Sequence, residues 1–222
     1  LCGLQDLNPS KFGRVDNLVT LASELGVKPV NSFNGVDVGI NARFGKGGSL
    51  SGGISTGRAE INNCFTIDAP HRPEYCNNVT DWMAGTQVKL LGNYPLPWWG
   101  LQVSATYQNI QGPAIAANRA YRSAEIAPSL GRNLSAGAAA NVSIALLQPN
   151  AIWAPRFNQI DFRMTKIITV GKLRTMGQFD LYNLGNSSAI LGVNNTYGAT
   201  WQRPTSVLAG RLMKFGLQMD WK

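Results

Sequence analysis

The sequence predicts an all-β fold, an antiparallel transmembrane β-barrel, on three observations. Apolar and polar residues alternate with a period of two in several segments, which is typical of strands that have one apolar face. The linkers between these segments are alternately short and long, as are the turns and outer loops of membrane barrels. No segment approaches the run of about 20 apolar residues that a membrane-spanning helix needs.

The composition agrees with this class. Charged residues make up 14% of the 222 residues, against about 25% in average soluble domains. The low charge content excludes a coiled coil and a disordered acidic tail. The net charge is +8, but Lys and Arg stand singly along the chain. We therefore interpret the charge as dispersed and expect no nucleic-acid partner.

Three segments alternate most clearly: 33–44, 100–110 and 207–221. Because successive side chains of a strand point to opposite faces of a sheet, each is predicted to be a half-exposed strand. In the last segment the apolar positions are Met213, Phe215, Leu217, Met219 and Trp221.

Weaker alternation predicts further strands over 48–61, 84–94, 157–170 and 173–184. An eighth strand is predicted over 13–23, although this stretch could also be helical. We expect residues 1–222 to form a single barrel segment.

The pair Gly171-Lys172 predicts a hairpin with a two-residue type II′ turn. The register that this turn sets places Phe162 opposite Leu181 and Arg163 opposite Asp180. A slip of one residue would destroy both matches. We interpret Arg163 and Asp180 as an ion pair in the barrel lumen, and the alternative is a contact with substrate or with a plug.

The linkers alternate in length along the chain. The short linkers are 45–47, 95–99 and 171–172. The long linkers, predicted to be outer loops, are about 62–83, 111–156 and 185–206. If the C-terminus lies in the periplasm, all three short linkers fall on the periplasmic side.

Aromatic residues stand at strand ends, where membrane barrels carry their interfacial girdles. The candidate girdle residues are Phe44, Tyr94, Trp98, Trp99 and Trp221. They could also be ordinary strand-end aromatics. Lys166 falls on the apolar face, but it lies near the periplasmic turn, where its amine could reach the interface.

The chain has three cysteines. Cys64 and Cys76 enclose a segment that contains two prolines and reads as a loop. A disulfide, two free thiols and a metal site are the open alternatives, and His71 is the one histidine nearby. Cys2 is unpaired in this scheme, and its partner could lie upstream.

The last strand resembles the C-terminal signature of bacterial outer-membrane proteins, which the barrel-assembly machinery recognises. The matching residues are Met213, Phe215, Leu217, Met219 and Trp221. Lys222 after the terminal aromatic is a departure from that signature.

Other segments resemble TonB-dependent receptors. Residues 181–186, Leu-Tyr-Asn-Leu-Gly-Asn, are similar to the Asn-Leu-Phe-Asn element of their penultimate strand, with Gly185 in place of Phe. Residues 210–212, Gly-Arg-Leu, resemble their Gly-Arg element. Residues 14–20 and 34–43 and the cysteine loop look like the subgroup that carries an N-terminal carboxypeptidase-regulatory-like domain.

This resemblance implies energised uptake of a scarce or large substrate across the outer membrane. The partners it implies are outer-membrane lipid, a plug domain upstream in the same chain, the TonB complex and the barrel-assembly machinery. Seven strands within residues 33–222 correspond to about 27 residues each, so a 22-stranded barrel would need roughly 600 residues. We therefore expect this chain to be the C-terminal part of such a receptor. The candidate substrate contacts in the long loops are Tyr121, Arg122, Arg132, Trp153, Tyr197 and Trp201.

No catalytic motif, cofactor motif or metal-ligand spacing is recognised, so we expect no enzyme activity, cofactor or metal. The Gly-rich stretch 45–53 lacks the order of a P-loop and reads as a turn. Two alternatives remain open. One is a complete eight-stranded outer-membrane barrel with a structural or adhesive role, and the other is a soluble β-sandwich that binds carbohydrate.

Overall fold

The computed structural model describes residues 4–16, 18–25, 28–64 and 75–221, which are mostly antiparallel β-structure. In chain order the strands are β1 (Val30–Phe44), β2 (Gly48–Asn62), β3 (Asn77–Thr80), β4 (Gln87–Pro95), β5 (Leu101–Ile110), β6 (Ala114–Ile115), β7 (Asn118–Arg122), β8 (Asn141–Ala145), β9 (Ile152–Trp153), β10 (Phe157–Val170), β11 (Leu173–Tyr182), β12 (Ile190–Val193), β13 (Pro204–Val207) and β14 (Leu212–Trp221). The helices are α1 (Trp82–Gly85) and α2 (Ser123–Leu130), with short 3-10 helices at Pro9–Lys11 and Ala22–Leu25. None of the helices in the described part is long and apolar enough to cross a membrane.

Seven long strands form one sheet in the order β1-β2-β4-β5-β10-β11-β14, and the short β3 pairs with β2. Each neighbouring pair is antiparallel. The seven long strands correspond to seven of the segments predicted as strands, although β14 begins at Leu212 rather than at 207. The pairs β6–β9, β7–β8 and β12–β13 form separate two-stranded ladders within the long connections.

The strand predicted over 13–23 is wrong in the part that can be described, residues 13–16 and 18–23. Alternation breaks where Leu18 and Val19 stand side by side, so the segment has no continuous apolar face. Both side chains are exposed. The segment makes no ladder with β1, whose only strand partner among the described residues is β2. A strand needs such a partner, because its backbone groups are otherwise left to water.

The hairpin of β10 and β11 has the predicted register. Phe162 pairs with Leu181, and Arg163 pairs with Asp180. Gly171 has a φ of +59°, the positive value that a type II′ turn requires at its first central position.

The register places apolar positions of neighbouring strands side by side across the whole sheet. We define the apolar face as Val36 and the alternate residues of β1 after it, together with the residues that lie in register with them on the other six long strands. One row across it runs Ile40, Gly52, Leu90, Tyr107 and Ile160. Another row runs Val103, Met164, Phe179 and Phe215. The rings of Phe179 and Phe215 lie 5.2 Å apart.

No layer covers the apolar face within the described part of the chain. Val38 is 58% exposed, Leu217 66% and Phe215 78%. The buried apolar side chains among the described residues are Ala117, Leu134, Ile144 and Ala154, all between β5 and β10. The core that can be described therefore lies in a long connection and not on the sheet. A sandwich, which requires a second layer on this face, is not formed by these residues.

The opposite face of the sheet, which we call the polar face, carries short uncharged side chains and a few charges. A row near its centre contains Asn41, Ser51, Leu91, Thr106 and Asp161. This face is compatible with contact to water or to another polar surface. β1 and β14 are the two edges of the sheet, and no ladder joins them in the described residues.

β1 and β2 approach each other closely at a pair of glycines. A Cβ on Gly53 would lie 2.2 Å from the carbonyl oxygen of Val38, far inside contact distance. Gly39 lies directly opposite Gly53, and a Cβ there would be 3.9 Å from the nearest atom, the carbonyl oxygen of Gly52.

We expect Gly53→Ala to lower the free energy of unfolding by about 1–3 kcal/mol, because the strands must move apart. Gly39→Ala is the matched control on the facing strand and should cost much less. Equilibrium urea unfolding of both variants checks this. Equal effects of the two substitutions would contradict the close approach at Gly53.

Candidate functional site

The three long connections leave the sheet at one end, because successive strands of an antiparallel meander run in opposite directions. They join β2 to β4, β5 to β10 and β11 to β14, and we call their described residues the loop layer. The short turns 45–47, 96–100 and 171–172 lie at the other end. The described residues before β1, 4–16, 18–25 and 28–29, lie on the side of the loop layer. All six candidate substrate contacts fall within this layer.

The first long connection is closed by a disulfide between Cys64 and Cys76. The backbone amide of Asn63 also donates to the carbonyl of Cys76 at 3.0 Å. The disulfide is one of the three alternatives that the sequence left open. Residues 65–74, which include His71, and the position of Cys2 lie outside the described residues.

Side-chain hydrogen bonds join the first long connection to the second. The Tyr75 hydroxyl donates to the carbonyl of Leu146 at 3.1 Å. The Gln148 amide donates to the carbonyl of Asn77 at 3.1 Å. Farther along, the Asn150 amide reaches the Thr80 hydroxyl at 3.1 Å.

The second and third long connections meet at the start of β7. The backbone amide of Asn118 donates to the backbone carbonyl of Asn195 at 2.8 Å, and the backbone carbonyl of Asn118 accepts from the backbone amide of Tyr197 at 2.7 Å. The indole of Trp201 donates to the carbonyl of Ala116 at 2.8 Å. The loop layer is therefore one hydrogen-bonded assembly of three connections.

The second long connection has a small interior of its own. Ile144 and Leu134 are buried there, beside the fully buried Ser123 at the start of α2. The Ser123 hydroxyl accepts from the Leu134 amide at 2.9 Å and lies 3.3 Å from the Asn133 side-chain oxygen. Since a buried hydroxyl is costly unless it is hydrogen-bonded, these contacts order the chain that follows α2.

Tyr197 and Trp201 are brought together by the structure. Their ring centroids are 5.6 Å apart, and Tyr197 is 46% exposed. The Trp201 indole N–H is already occupied by Ala116, so this residue offers a ring face rather than a donor. Trp201 is half-buried, so the pair forms a partly exposed aromatic surface, a kind of surface that planar or apolar ligand groups contact.

Tyr121 lies on β7, where the guanidinium carbon of Arg119 sits 4.5 Å from its ring centroid. Arg119 also forms an ion pair with Glu125 at 3.4 Å. The neighbouring Arg122 is exposed, and its backbone amide donates to Glu125 at 2.8 Å at the start of α2. Arg119 is thus a cation of this surface that the sequence-based candidates do not include.

Trp153 is half-buried on β9, and its indole donates to the carbonyl of Asn150 at 3.0 Å. The main role that the structure gives this side chain is to hold the end of the second connection.

The guanidinium of Arg132 is hydrogen-bonded to the N-terminal segment. It forms an ion pair with Asp6 at 2.6 Å and donates to the carbonyl of Leu7 at 2.8 Å. Ser135 adds two hydrogen bonds to the same carboxylate, at 2.9 and 3.0 Å. Burial raises the pKa of Asp6, but the hydrogen bonds from Arg132 and Ser135 and the Arg132 charge outweigh it and hold that pKa below its usual value.

On the polar face, Arg163 and Asp180 form a two-point ion pair with N–O distances of 2.5 and 3.0 Å. Asp180 is buried and also lies 3.4 Å from the Tyr182 hydroxyl. A cleft of about 310 Å³ lies beside the pair, and Asp161 and Thr106 contribute to its wall. Because both charges are engaged with each other, the pair serves first to hold strand register.

Two residues anchor the connections in a way that the sequence analysis did not predict, although one of them, Asn183, lies in the 181–186 element. The Arg156 guanidinium donates to the carbonyls of Met83 and Thr86 and to the side chains of Asn109 and Gln111, at 2.6–3.1 Å. No local pattern marks this residue, because its partners are distant in sequence.

The second anchor is Asn183, which is buried. Its side chain bonds Ser187 and Ala209, and its backbone amide donates to Asp161 at 2.8 Å. Asn186 accepts from the Arg211 amide at 3.0 Å. The Asn-Leu-Gly-Asn element thus closes the base of the third connection.

No group of three or more His, Cys, Asp and Glu residues that could hold a metal ion occurs in the part of the chain that is described. No protein-family model, no curated protein and no solved structure matches the chain.

The lowered pKa of Asp6 has a pH consequence. The contribution of its contacts to stability is fully present above the unfolded pKa near 3.8 and is lost as pH falls through the lower folded value. We expect Arg132→Gln to raise the Asp6 pKa, because burial remains when the cation is removed. A carbon-13 NMR titration of the Asp6 carboxyl checks this, with the exposed Arg122→Gln as control. The same titration midpoint in wild type and Arg132→Gln would show that this contact does not form.

Proposed function

We propose that this chain forms wall strands and outer loops of a TonB-dependent-type receptor in the bacterial outer membrane, for uptake of a scarce or large substrate. The observation that carries the proposal is the apolar face, which extends over all seven long strands without a covering layer among the described residues. We infer that lipid chains cover it and that the polar face lines a lumen.

The size of the apolar face supports a lipid environment. Soluble proteins rarely expose contiguous apolar patches of more than a few hundred Å², and here apolar rows repeat across seven strands. Its height also fits, because a tilted membrane strand needs about 9–11 residues. The apolar stretches 36–44 and 213–221 both have about this length.

The aromatic residues support a membrane boundary at the short-turn end. Phe44 and Tyr94 lie on the apolar face with ring centroids 6.0 Å apart, next to the turn 45–47. Trp221 pairs with Leu173 beside the turn 171–172. At the opposite end of β2, the same face becomes charged at Arg58 and Glu60, which form an ion pair at 2.8 Å. An apolar band between an aromatic rim and a polar rim is typical of outer-membrane barrels.

The loop layer is where we expect substrate to bind. Of the six candidates, the exposed Tyr197 and the half-buried Trp201 form the clearest surface. Tyr121 and Arg122 lie on β7, whose first residue Asn118 is hydrogen-bonded to the same connection. Arg132 and Trp153 are engaged in structural hydrogen bonds, so we give them a supporting role. The plug domain, the TonB complex and the barrel-assembly machinery remain partners that the resemblance implies.

The alternatives receive less support. A complete eight-stranded barrel needs an additional long strand, and the segment 13–23 forms none in its described residues. A soluble sandwich needs a second layer on the apolar face, which the described residues do not supply. No specific observation favours a carbohydrate-binding or adhesive module.

Adjacent residues of β14 test the proposal, since Leu217 lies on the apolar face and Gln218 on the polar face. We expect Leu217→Arg to destabilise the protein in phosphatidylcholine vesicles by about 1–3 kcal/mol, because the cost of Arg on the lipid side rises from about 0–1 kcal/mol near the interface to about 2–4 kcal/mol at the midplane. The matched control Gln218→Arg should be tolerated. Urea unfolding from the vesicles measures both.

Quenching of tryptophan fluorescence by brominated phosphatidylcholine identifies what covers the apolar face. We expect strong quenching that decreases in the Trp221→Phe variant. Full tolerance of Leu217→Arg together with no quenching by brominated lipid would show that the apolar face does not contact lipid, and the proposal would be wrong.

A further inference from the structure

One charged residue interrupts the apolar face. Lys166 on β10 points to this face, where its cross-strand neighbours are Leu101 and Gly177. On the next strand, Leu217 pairs with Gly177. The lysine therefore lies among uncharged neighbours, near the end of the sheet that carries the short turns.

Two hydrogen bonds from β10 hold the turn between β4 and β5 beside this lysine. The Lys166 ammonium donates to the carbonyl of Trp99, and the amide of Ile167 donates to the carbonyl of Gly100 at 2.9 Å. Trp99 has a φ of +54°, a left-handed conformation that is unusual for a bulky residue. Such strain persists only where surrounding contacts hold it, and it is often found at binding sites.

The Lys166 ammonium can donate more hydrogen bonds than it makes. A lysine has three N–H donors, and Trp99 takes one of them. Among the described residues, no carboxylate forms an ion pair with Lys166. Across the strand, Gly177 has no side chain, and a Cβ there would meet nothing within 4 Å. The surface over Gly177 is therefore an uncovered site on the apolar face, and the Lys166 ammonium at its edge has no ion-pair partner among the described residues.

We propose that this place binds the phosphate of an anionic phospholipid, with Lys166 as the phosphate contact and the acyl chains over Gly177 and Leu217. The inference rests on the proposed membrane location of the apolar face. Two observations favour a lipid over a soluble anion. The cation is surrounded by apolar groups that would contact acyl chains, and the exposed rings of Trp98 and Trp99 lie in the adjacent turn, a placement typical of the membrane interface.

The test uses protein reconstituted into nanodiscs that contain phosphatidylcholine and phosphatidylglycerol. After extraction, native mass spectrometry measures the ratio of bound phosphatidylglycerol to bound phosphatidylcholine. We expect the wild type to retain phosphatidylglycerol preferentially. A lysine near an anionic membrane surface contributes about 1 kcal/mol, so Lys166→Gln should lower the preference about fivefold.

Three further variants define the site. Lys166→Arg keeps the charge and should preserve the preference. Lys89→Gln removes a charge from the polar face and should leave it unchanged. Lys172→Gln removes a charge from a turn at the same end of the sheet and should have a smaller effect than Lys166→Gln.

The same nanodiscs separate this inference from the proposed function. Equal preference in wild type and Lys166→Gln, with quenching by brominated phosphatidylcholine intact, would overturn the lipid site and leave the membrane location standing. An equal loss in Lys172→Gln and Lys166→Gln would also overturn it, since diffuse charge at the rim would then explain the preference. Absence of quenching together with full tolerance of Leu217→Arg would instead overturn the proposed function.

Discussion

The cross-strand register of the seven-stranded sheet is the constraint on which the rest of the structure depends. Side chains alternate between the two faces, so a slip of one residue in any ladder would place a row of apolar side chains among polar ones. Matched pairs oppose such a slip, above all Arg163 with Asp180 on the polar face and Phe179 with Phe215 on the apolar face. The register therefore creates both the uncovered apolar face and the polar surface behind it.

The register also decides what the connections can do. Since the strands alternate in direction, all three long connections meet at one end, and their polar groups find partners in one another. Asn118 and Tyr197 join the second and third connections through their backbones, and Arg132 ties residues near Asp6 to the same layer. Many polar groups of this layer thus serve to order long chain segments, whereas Tyr197 stays exposed.

The candidate site was partly predictable from sequence. Aromatic and basic residues in long loops are reasonable ligand contacts, and the exposed Tyr197 does stack at an angle on the half-buried Trp201. The same reasoning cannot separate them from Arg132, because a guanidinium looks equally free in sequence until its partner is known. Arg156 was missed for the related reason that its partners at Met83 and Thr86 are far away along the chain.

The sequence by itself determined the strands that alternate strictly, the β10–β11 register and the rhythm of short and long connections, because periodicity and turn chemistry act over a few residues. Only the tertiary structure decided that residues 18–23 form no strand, which of the alternatives Cys64 and Cys76 adopt, and how the three connections bind one another. These outcomes depend on partners distant in sequence. The segment 13–23 contains enough apolar residues for a strand, but a strand also requires a neighbouring backbone to pair with, and no local pattern supplies that.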